Sequence, residues 1–248
     1  MNIKSQIPNY FTLGNLLCGL LIIISSFQQE FTMVIFYAAI ALILDFFDGT
    51  VARLLKSNSA IGKELDSLAD MVSFGAAPSL VLYNYWRFET QAEMFTDCFG
   101  QSILGCNFSV ALILSLFAAY RLAKFNVTEQ STEYFMGVPT PMLSIAAFAI
   151  PMAAEQSLPL NTFLNSTGFM IAFVLIGGAL MVSNIRLLSI KLGSKNLALN
   201  IIRIAMLTTC LVLIVWLKFF GVFLCLVVYL LFSLTVTKFL KHKINLNG

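Results

Sequence analysis

The chain alternates long apolar runs with short polar breaks. Eight apolar runs stand out, at about 9–27, 33–55, 65–86, 103–121, 139–155, 165–185, 201–217 and 220–240. Most approach the ~20 residues that a helix needs to cross a bilayer core. The pattern predicts an all-α, polytopic membrane helical bundle of about eight spans, a single integral membrane domain over residues 1–248. The last two runs are separated only by Lys218-Phe219-Phe220-Gly221, which predicts a tight C-terminal hairpin over 201–240. The first run follows Lys4 as a signal peptide would. No small-residue cleavage site closes it, so it reads as an uncleaved first helix.

Composition narrows the class. Hydrophobic residues make up 59% of the chain and charged ones 11%, with a mean hydropathy of +0.88. Soluble domains carry about 25% charge, so a soluble enzyme, a disordered chain and a nucleic-acid binder are excluded. The net charge of +3 is too mild to define a partner. The position of the charges says more. With a cytoplasmic N-terminus, Lys4, Arg53, Lys56, Lys63, Arg121, Lys124, Arg186, Lys191, Lys195, Arg203, Lys238, Lys241 and Lys243 all fall at cytoplasmic ends or loops, and only Arg87 and Lys218 fall outside. That bias predicts both termini inside and an even number of spans.

Several polar stretches carry little chemistry. The outer loop at about 87–102 holds Glu89, Glu93 and Asp97. Segment 186–200 fits a short surface helix and a solvated loop equally. The basic tail, Lys238 to Lys243, suits contact with anionic headgroups, and His242 reads as a solvated tail residue. Cys18, Cys98, Cys106, Cys210 and Cys225 include no CxxC pair, so no zinc site is expected. Cys98 and Cys106 fit either a loop disulfide or two free thiols.

One stretch breaks the membrane rule. Residues 45–70 read DFFDGTVARLLKSNSAIGKELDSLAD and contain Asp45, Asp48, Asp66 and Asp70 on two consecutive predicted spans. A charge at a helix centre costs about 2.5–3.5 kcal/mol on insertion scales. Asp45 and Asp48 share one helix face, and Asp66 and Asp70 share another. A connection of about eight to ten residues forces the two helices antiparallel, so the four carboxylates converge near the cytoplasmic side. Two divalent ions would balance their four charges. All-oxygen ligands favour Mg²⁺ or Mn²⁺, with Ca²⁺ in the same class. Paired metals suit a displacement at phosphorus. Gly49 and Gly62 allow close approach of a ligand, Ala52 keeps the face shallow, and Arg53 can fork onto phosphate. The plainer reading pairs the aspartates with Arg53, Lys56 and Lys63, but it leaves the deeper Asp45 and Asp70 unexplained.

Asp45, Asp48, Gly49, Ala52, Arg53, Gly62, Asp66 and Asp70 fit D-x2-D-G-x2-A-R-x8-G-x3-D-x3-D at every position. This resembles the signature of the CDP-alcohol phosphotransferase family of membrane enzymes. The flanking sequence is similar to its phosphatidylserine synthase branch. The stretches that carry the likeness are Ile7 to Asn15, Asp70 to Pro78, Arg121 to Asn126 (with Lys124 where the branch has Arg), and Phe135 to Pro141. A weaker echo lies at Met181 to Arg186.

The resemblance implies a six-helix core over about 7–190, often homodimeric, to which the hairpin is added as lipid-facing packing. It implies two divalent ions on Asp45, Asp48, Asp66 and Asp70, with Gly49, Ala52, Arg53, Gly62 and Asp66 around the CDP-lipid and Asp70 as general base. The implied reaction moves the phosphatidyl group of CDP-diacylglycerol to the L-serine hydroxyl and releases CMP at the cytoplasmic face of a membrane, the inner membrane in a bacterium. For serine itself, Arg121 is the candidate for the carboxylate, with Lys124 and Asn126 beside it; positive-inside anchoring would also account for Arg121 and Lys124. Glu129 and Glu133 read as solvated loop. Gly137, Pro139 and Pro141 shape the start of the fifth span. Ser73 and the 73–78 stretch either line the lipid's path or pack helices closely. Rival readings are a family member with a glycerol phosphate, inositol phosphate or choline acceptor, and a divalent-cation transporter. Confinement of the acidic cluster to one hairpin argues against the transporter.

Overall fold

Lipid offers no hydrogen bonds, so a crossing chain must satisfy its backbone internally, and the apolar runs accordingly form helices. The computed structural model describes residues 6–55, 60–89, 107–127, 134–188 and 197–245. The helices are α1 (Ile7–Phe27), α2 (Phe31–Leu54), α3 (Ala60–Asp70), α4 (Ala77–Glu89), α5 (Ile113–Val127), α6 (Thr140–Ala154), α7 (Leu158–Leu164), α8 (Thr167–Val182) and α9 (Leu197–Asn245). A π-helical turn, Met71–Ala76, fuses α3 to α4, and a 3-10 turn, Asn107–Leu112, leads into α5. The all-α membrane bundle expected from the sequence is what the chain forms.

Five helical stretches are long and apolar enough to cross a membrane, and α7 with α8, bent by 60°, makes a sixth. Two further features stand beside these: the apolar α6 has 15 residues, and α9 is itself a hairpin. At Lys218 the backbone leaves helical geometry (φ 49°, ψ −124°). The legs on either side run back along each other: Cys225 Sγ donates to the Cys210 carbonyl at 3.6 Å, and a Cβ on Gly221 would collide with the Leu213 backbone. The turn expected at Lys218–Gly221 is therefore present.

Boundaries differ from the sequence reading in three places. The third span begins at Ala60 rather than near 65, which puts Gly62 and Lys63 on the helix and leaves only residues 55–59 between α2 and α3. The fourth span runs on to Val127, so Arg121 sits inside α5 instead of at its end. The sixth is broken, with Pro159 opening α7 and the Ser166 hydroxyl capping α8 by accepting from Phe169 N at 3.3 Å. A two-stranded antiparallel ribbon was not expected: β1 (Tyr134–Met136) pairs with β2 (Arg186–Leu188), Phe135 opposite Leu187. It shows that the start of segment 186–200 is neither surface helix nor loop. Cys98, Cys106, Glu93, Asp97, Glu129, Glu133 and the segment around Lys191 and Lys195 lie outside the described residues, as does Lys56; of the tail's side chains, including His242, nothing is described.

Packing places α6 at the centre, against α2, α4, α7 and the C-terminal hairpin. Trp86, Phe148, Leu143, Ile150, Leu82 and Leu114 form the sealed core. The hairpin is thus more than lipid-facing, since its Arg203, Met206, Tyr229 and Ser233 are all buried. Gly137 (φ 69°) turns the chain from the ribbon into α6, and its N–H donates to the Ile185 carbonyl at 2.9 Å. Pro141 then opens α6, as the sequence reading expected of this stretch.

On the other side, α1 lies against α2 and against the π-helical turn. Gly19 makes this possible: a Cβ there would stand 2.8 Å from Ser73 Cα. Ser73 is buried and returns its hydroxyl to the Ala69 carbonyl at 2.9 Å, so it serves close helix packing rather than a lipid path. Gly19→Val should lower the thermal midpoint in detergent by several degrees, since overpacking costs about 1–3 kcal/mol. Gly168→Ala, where an added Cβ meets nothing within 4 Å, should leave the midpoint unchanged.

Candidate active site

The unusual aspartates are brought together by two helices and stabilised by a third. Asp45 and Asp48, one turn apart on α2, face Asp66 on α3. One carboxylate oxygen from each of Asp45, Asp48 and Asp66 lies within 4.8 Å of the others. Asp70, one turn further along α3, lies close enough to Asp45 and Asp66 to interact electrostatically with them. Three of the four carboxylates meet at one point, and Asp70 borders them. Three anionic oxygens this close, with no opposing cation among them, are the donor set of a hard divalent ion.

Helix α1 supplies the partners that orient two of these carboxylates. Thr12 Oγ1 donates to Asp48 Oδ2 at 2.9 Å, and Asn15 Nδ2 donates to Asp70 Oδ1 at 3.2 Å. Both residues are sealed from solvent, with Asn15 0% exposed. The sequence reading did not give either one a role. The signal was available, since Thr12 and Asn15 lie three apart on one face of a mostly apolar helix.

Among the described residues, Arg53 and Lys63 donate elsewhere than to the aspartates. Arg53 Nε donates to the Gly49 carbonyl at 2.8 Å, and Lys63 Nζ to the Asn126 carbonyl at 3.1 Å. Arg53 is exposed, and around Gly49 nothing lies within 4 Å of where a Cβ would be. The rim beside the carboxylates is therefore open, with a guanidinium at its edge. Ala52 and Gly62 are half-buried on the facing helices.

The residues assigned to serine divide into two groups. Asn126 Nδ2 donates to Ser67 Oγ at 2.7 Å, which ties the end of α5 to α3. Lys124 Nζ donates to the Val182 carbonyl at 3.0 Å and to Asn184 Oδ1 at 2.6 Å, tying α5 to the end of α8. Arg121 is different. It is 8% exposed, Nη1 donates to Thr140 Oγ1 at 2.5 Å, its guanidinium lies 5.5 Å from the Phe125 ring centroid, and Nε has no partner. It also lies close enough to Asp70 to interact electrostatically with it. A buried cation with an unused donor thus borders the carboxylate cluster.

A model of the CDP-alcohol phosphatidyltransferase family matches residues 5–185, the stretch that carries all of these groups. The chain belongs to that family. Named relatives agree. A CDP-diacylglycerol–serine O-phosphatidyltransferase of Helicobacter pylori (strain 26695) is 34% identical over 97% of this chain and 94% of its own length. Proteins of the same name from Methanocaldococcus jannaschii and Bacillus subtilis (strain 168) are 34% and 36% identical, over 73% and 55% of this chain and 72% and 70% of theirs. The family match stops before the C-terminal hairpin, whereas the Helicobacter relative spans nearly the whole chain.

The Thr12 contact has a measurable consequence. Hydrogen bonds to a ligating carboxylate typically contribute 10–100-fold to metal affinity. Thr12→Val should raise the Mn²⁺ concentration that half-maximally stabilises the purified protein against heat by roughly tenfold. Thr12→Ser, which keeps the hydroxyl, should titrate like the parent.

Proposed function

We propose that this chain transfers the phosphatidyl group of CDP-diacylglycerol to the hydroxyl of L-serine and releases CMP. The observation that carries the reading is the carboxylate cluster beside an open, arginine-rimmed face, in a chain of this family. The names of the relatives support CDP-diacylglycerol and serine as the substrates. The reading includes a cytoplasmic position for both termini and the site, two divalent ions (Mg²⁺ or Mn²⁺, with Ca²⁺ as an alternative), and a homodimer. It treats residues 7–190 as the family core and 201–240 as an added hairpin within one membrane domain.

Each residue then has a task. Asp45, Asp48, Asp66 and Asp70 would hold the ions, which when bound neutralise the diphosphate and the departing CMP. Gly49, Ala52 and Gly62 leave room for the cytidine and its diphosphate along α2 and α3, and Arg53 donates to phosphate oxygens. Asp66 faces both the ions and the nucleotide. Arg121 takes the serine carboxylate, and Lys124 and Asn126 frame the same wall. Asp70 accepts the proton as the serine oxygen attacks the phosphatidyl phosphorus. The bond to the CMP oxygen breaks as the new ester forms, and CMP leaves with the bonding pair.

Serine-dependent CMP release from CDP-diacylglycerol by the purified protein, with and without divalent cation, tests the reading. Release with glycerol 3-phosphate and none with serine would overturn the choice of acceptor. Asp70→Asn should lower kcat by about 10²–10⁴-fold, the usual weight of a general base, while CDP-lipid still binds. Arg121→Ala should raise the serine KM far more than the lipid KM; an equal rise in both would assign Arg121 a structural role.

A further inference from the structure

Two hydroxyls tie the first turn of α6 to its neighbours. Thr140 and Ser144 lie four apart on one face of that helix, and both are buried. On one side, Thr140 Oγ1 accepts from Arg121 Nη1 on α5. On the other, Ser144 Oγ donates to the Phe74 carbonyl of the π-helical turn at 2.5 Å, and it shares that hydrogen with the Thr140 carbonyl at 2.7 Å. The Phe74 carbonyl lacks its regular helical donor. An α-helix would close it with the amide four residues on, but that residue is Pro78, which has no N–H. The neighbouring amide, of Ala77, is turned back to the Val72 carbonyl. Phe74 is 1% exposed, a setting in which a carbonyl without a donor is costly. Ser144 supplies that donor from another helix. The turn it holds begins at Met71, directly after Asp70.

We infer that Ser144 is a positioning residue for the acceptor alcohol: its hydroxyl ties the first turn of α6 to the π-helical turn and so fixes where Thr140 holds Arg121 relative to Asp70. The inference rests on the roles set out above for Arg121 and Asp70. The acceptor must meet both at once, its carboxylate at Arg121 and its hydroxyl at Asp70. These two groups stand on different helices, α5 and α3. The α6 turn is bonded to the first directly and to the segment that continues the second. Without the Ser144 hydroxyl the α6 turn loses its anchor, and Arg121 follows Thr140. The cost falls on the acceptor. Asp48 and Asp70 are oriented from α1, by Thr12 and Asn15, so the ion-binding carboxylates keep their places.

The test uses the full-length protein in detergent micelles, with CMP release measured against serine at saturating CDP-diacylglycerol and against the lipid at saturating serine. Ser144→Ala should raise the serine KM roughly three- to tenfold, the weight of a typical net hydrogen bond, and leave the lipid KM within about twofold. The Mn²⁺ concentration for half-maximal thermal stabilisation should match the parent's, whereas a general loosening of the bundle would shift it. Ser144→Thr, which keeps the hydroxyl, should restore the parent's serine KM. If Ser144→Ala does not fold, Ser144→Cys, similar in size and a weak donor, should show the same rise. In the background of Arg121→Ala, Ser144→Ala should add nothing. An unchanged serine KM overturns the inference, as does an equal rise in both Michaelis constants, a shifted Mn²⁺ midpoint, or an undiminished effect without Arg121. If the parent protein uses another alcohol, the serine reading fails separately, and the same variants measured with that alcohol decide the role of Ser144.

Discussion

The fold is organised around a repulsion. Carboxylates within 4.8 Å of one another repel by about 3 kcal/mol per pair even at an effective dielectric of 20. Two apolar helices must nevertheless press them together inside a membrane protein. The packing of α1 across α2, α3 and the π-helical turn opposes that repulsion, and Thr12 and Asn15 donate to two of the four groups. The remaining charge is what a divalent ion is suited to balance. Close packing and incomplete neutralisation are thus two parts of one arrangement, which a bound divalent ion would complete.

The surroundings of the cluster follow from the same constraint. Basic residues strong enough to pair with the aspartates would compete with a cation. Lys63 and Lys124 instead donate to backbone carbonyls and amides, where they tie α3, α5 and α8 together. Arg53 stays at the rim, and Arg121 is buried behind Thr140 and Phe125. The positive charges are thereby kept beside the carboxylates without quenching them. This arrangement suits a substrate that carries phosphate on one side and an acid group on the other.

The sequence made the site more legible than its supports. The apolar runs located the spans because lipid imposes one solution on the backbone. The aspartates stood out because charge is costly there, and their three- and four-residue spacing put them on facing surfaces. The protein neighbours of Asn126 and Lys124 could not be read, because a polar residue at a helix end does not reveal which one it meets; they are Ser67 and Asn184, distant in sequence. The break between α7 and α8 and the β1–β2 ribbon lie in short segments where periodicity has too few residues to register.

The π-helical turn at Met71–Ala76 bears on how this chain can vary. Such a turn accommodates one residue more than an α-helix of the same rise. An extra residue taken up in this way leaves the flanking helices in phase, so Asp66 keeps its face toward α2 while Val81 and Trp86 keep theirs in the core. Adding or removing one residue within the regular parts of α3 or α4 would instead rotate one side against the other by about 100°. The widened turn therefore marks the place along this span where a change of length separates the chemistry from the scaffold least.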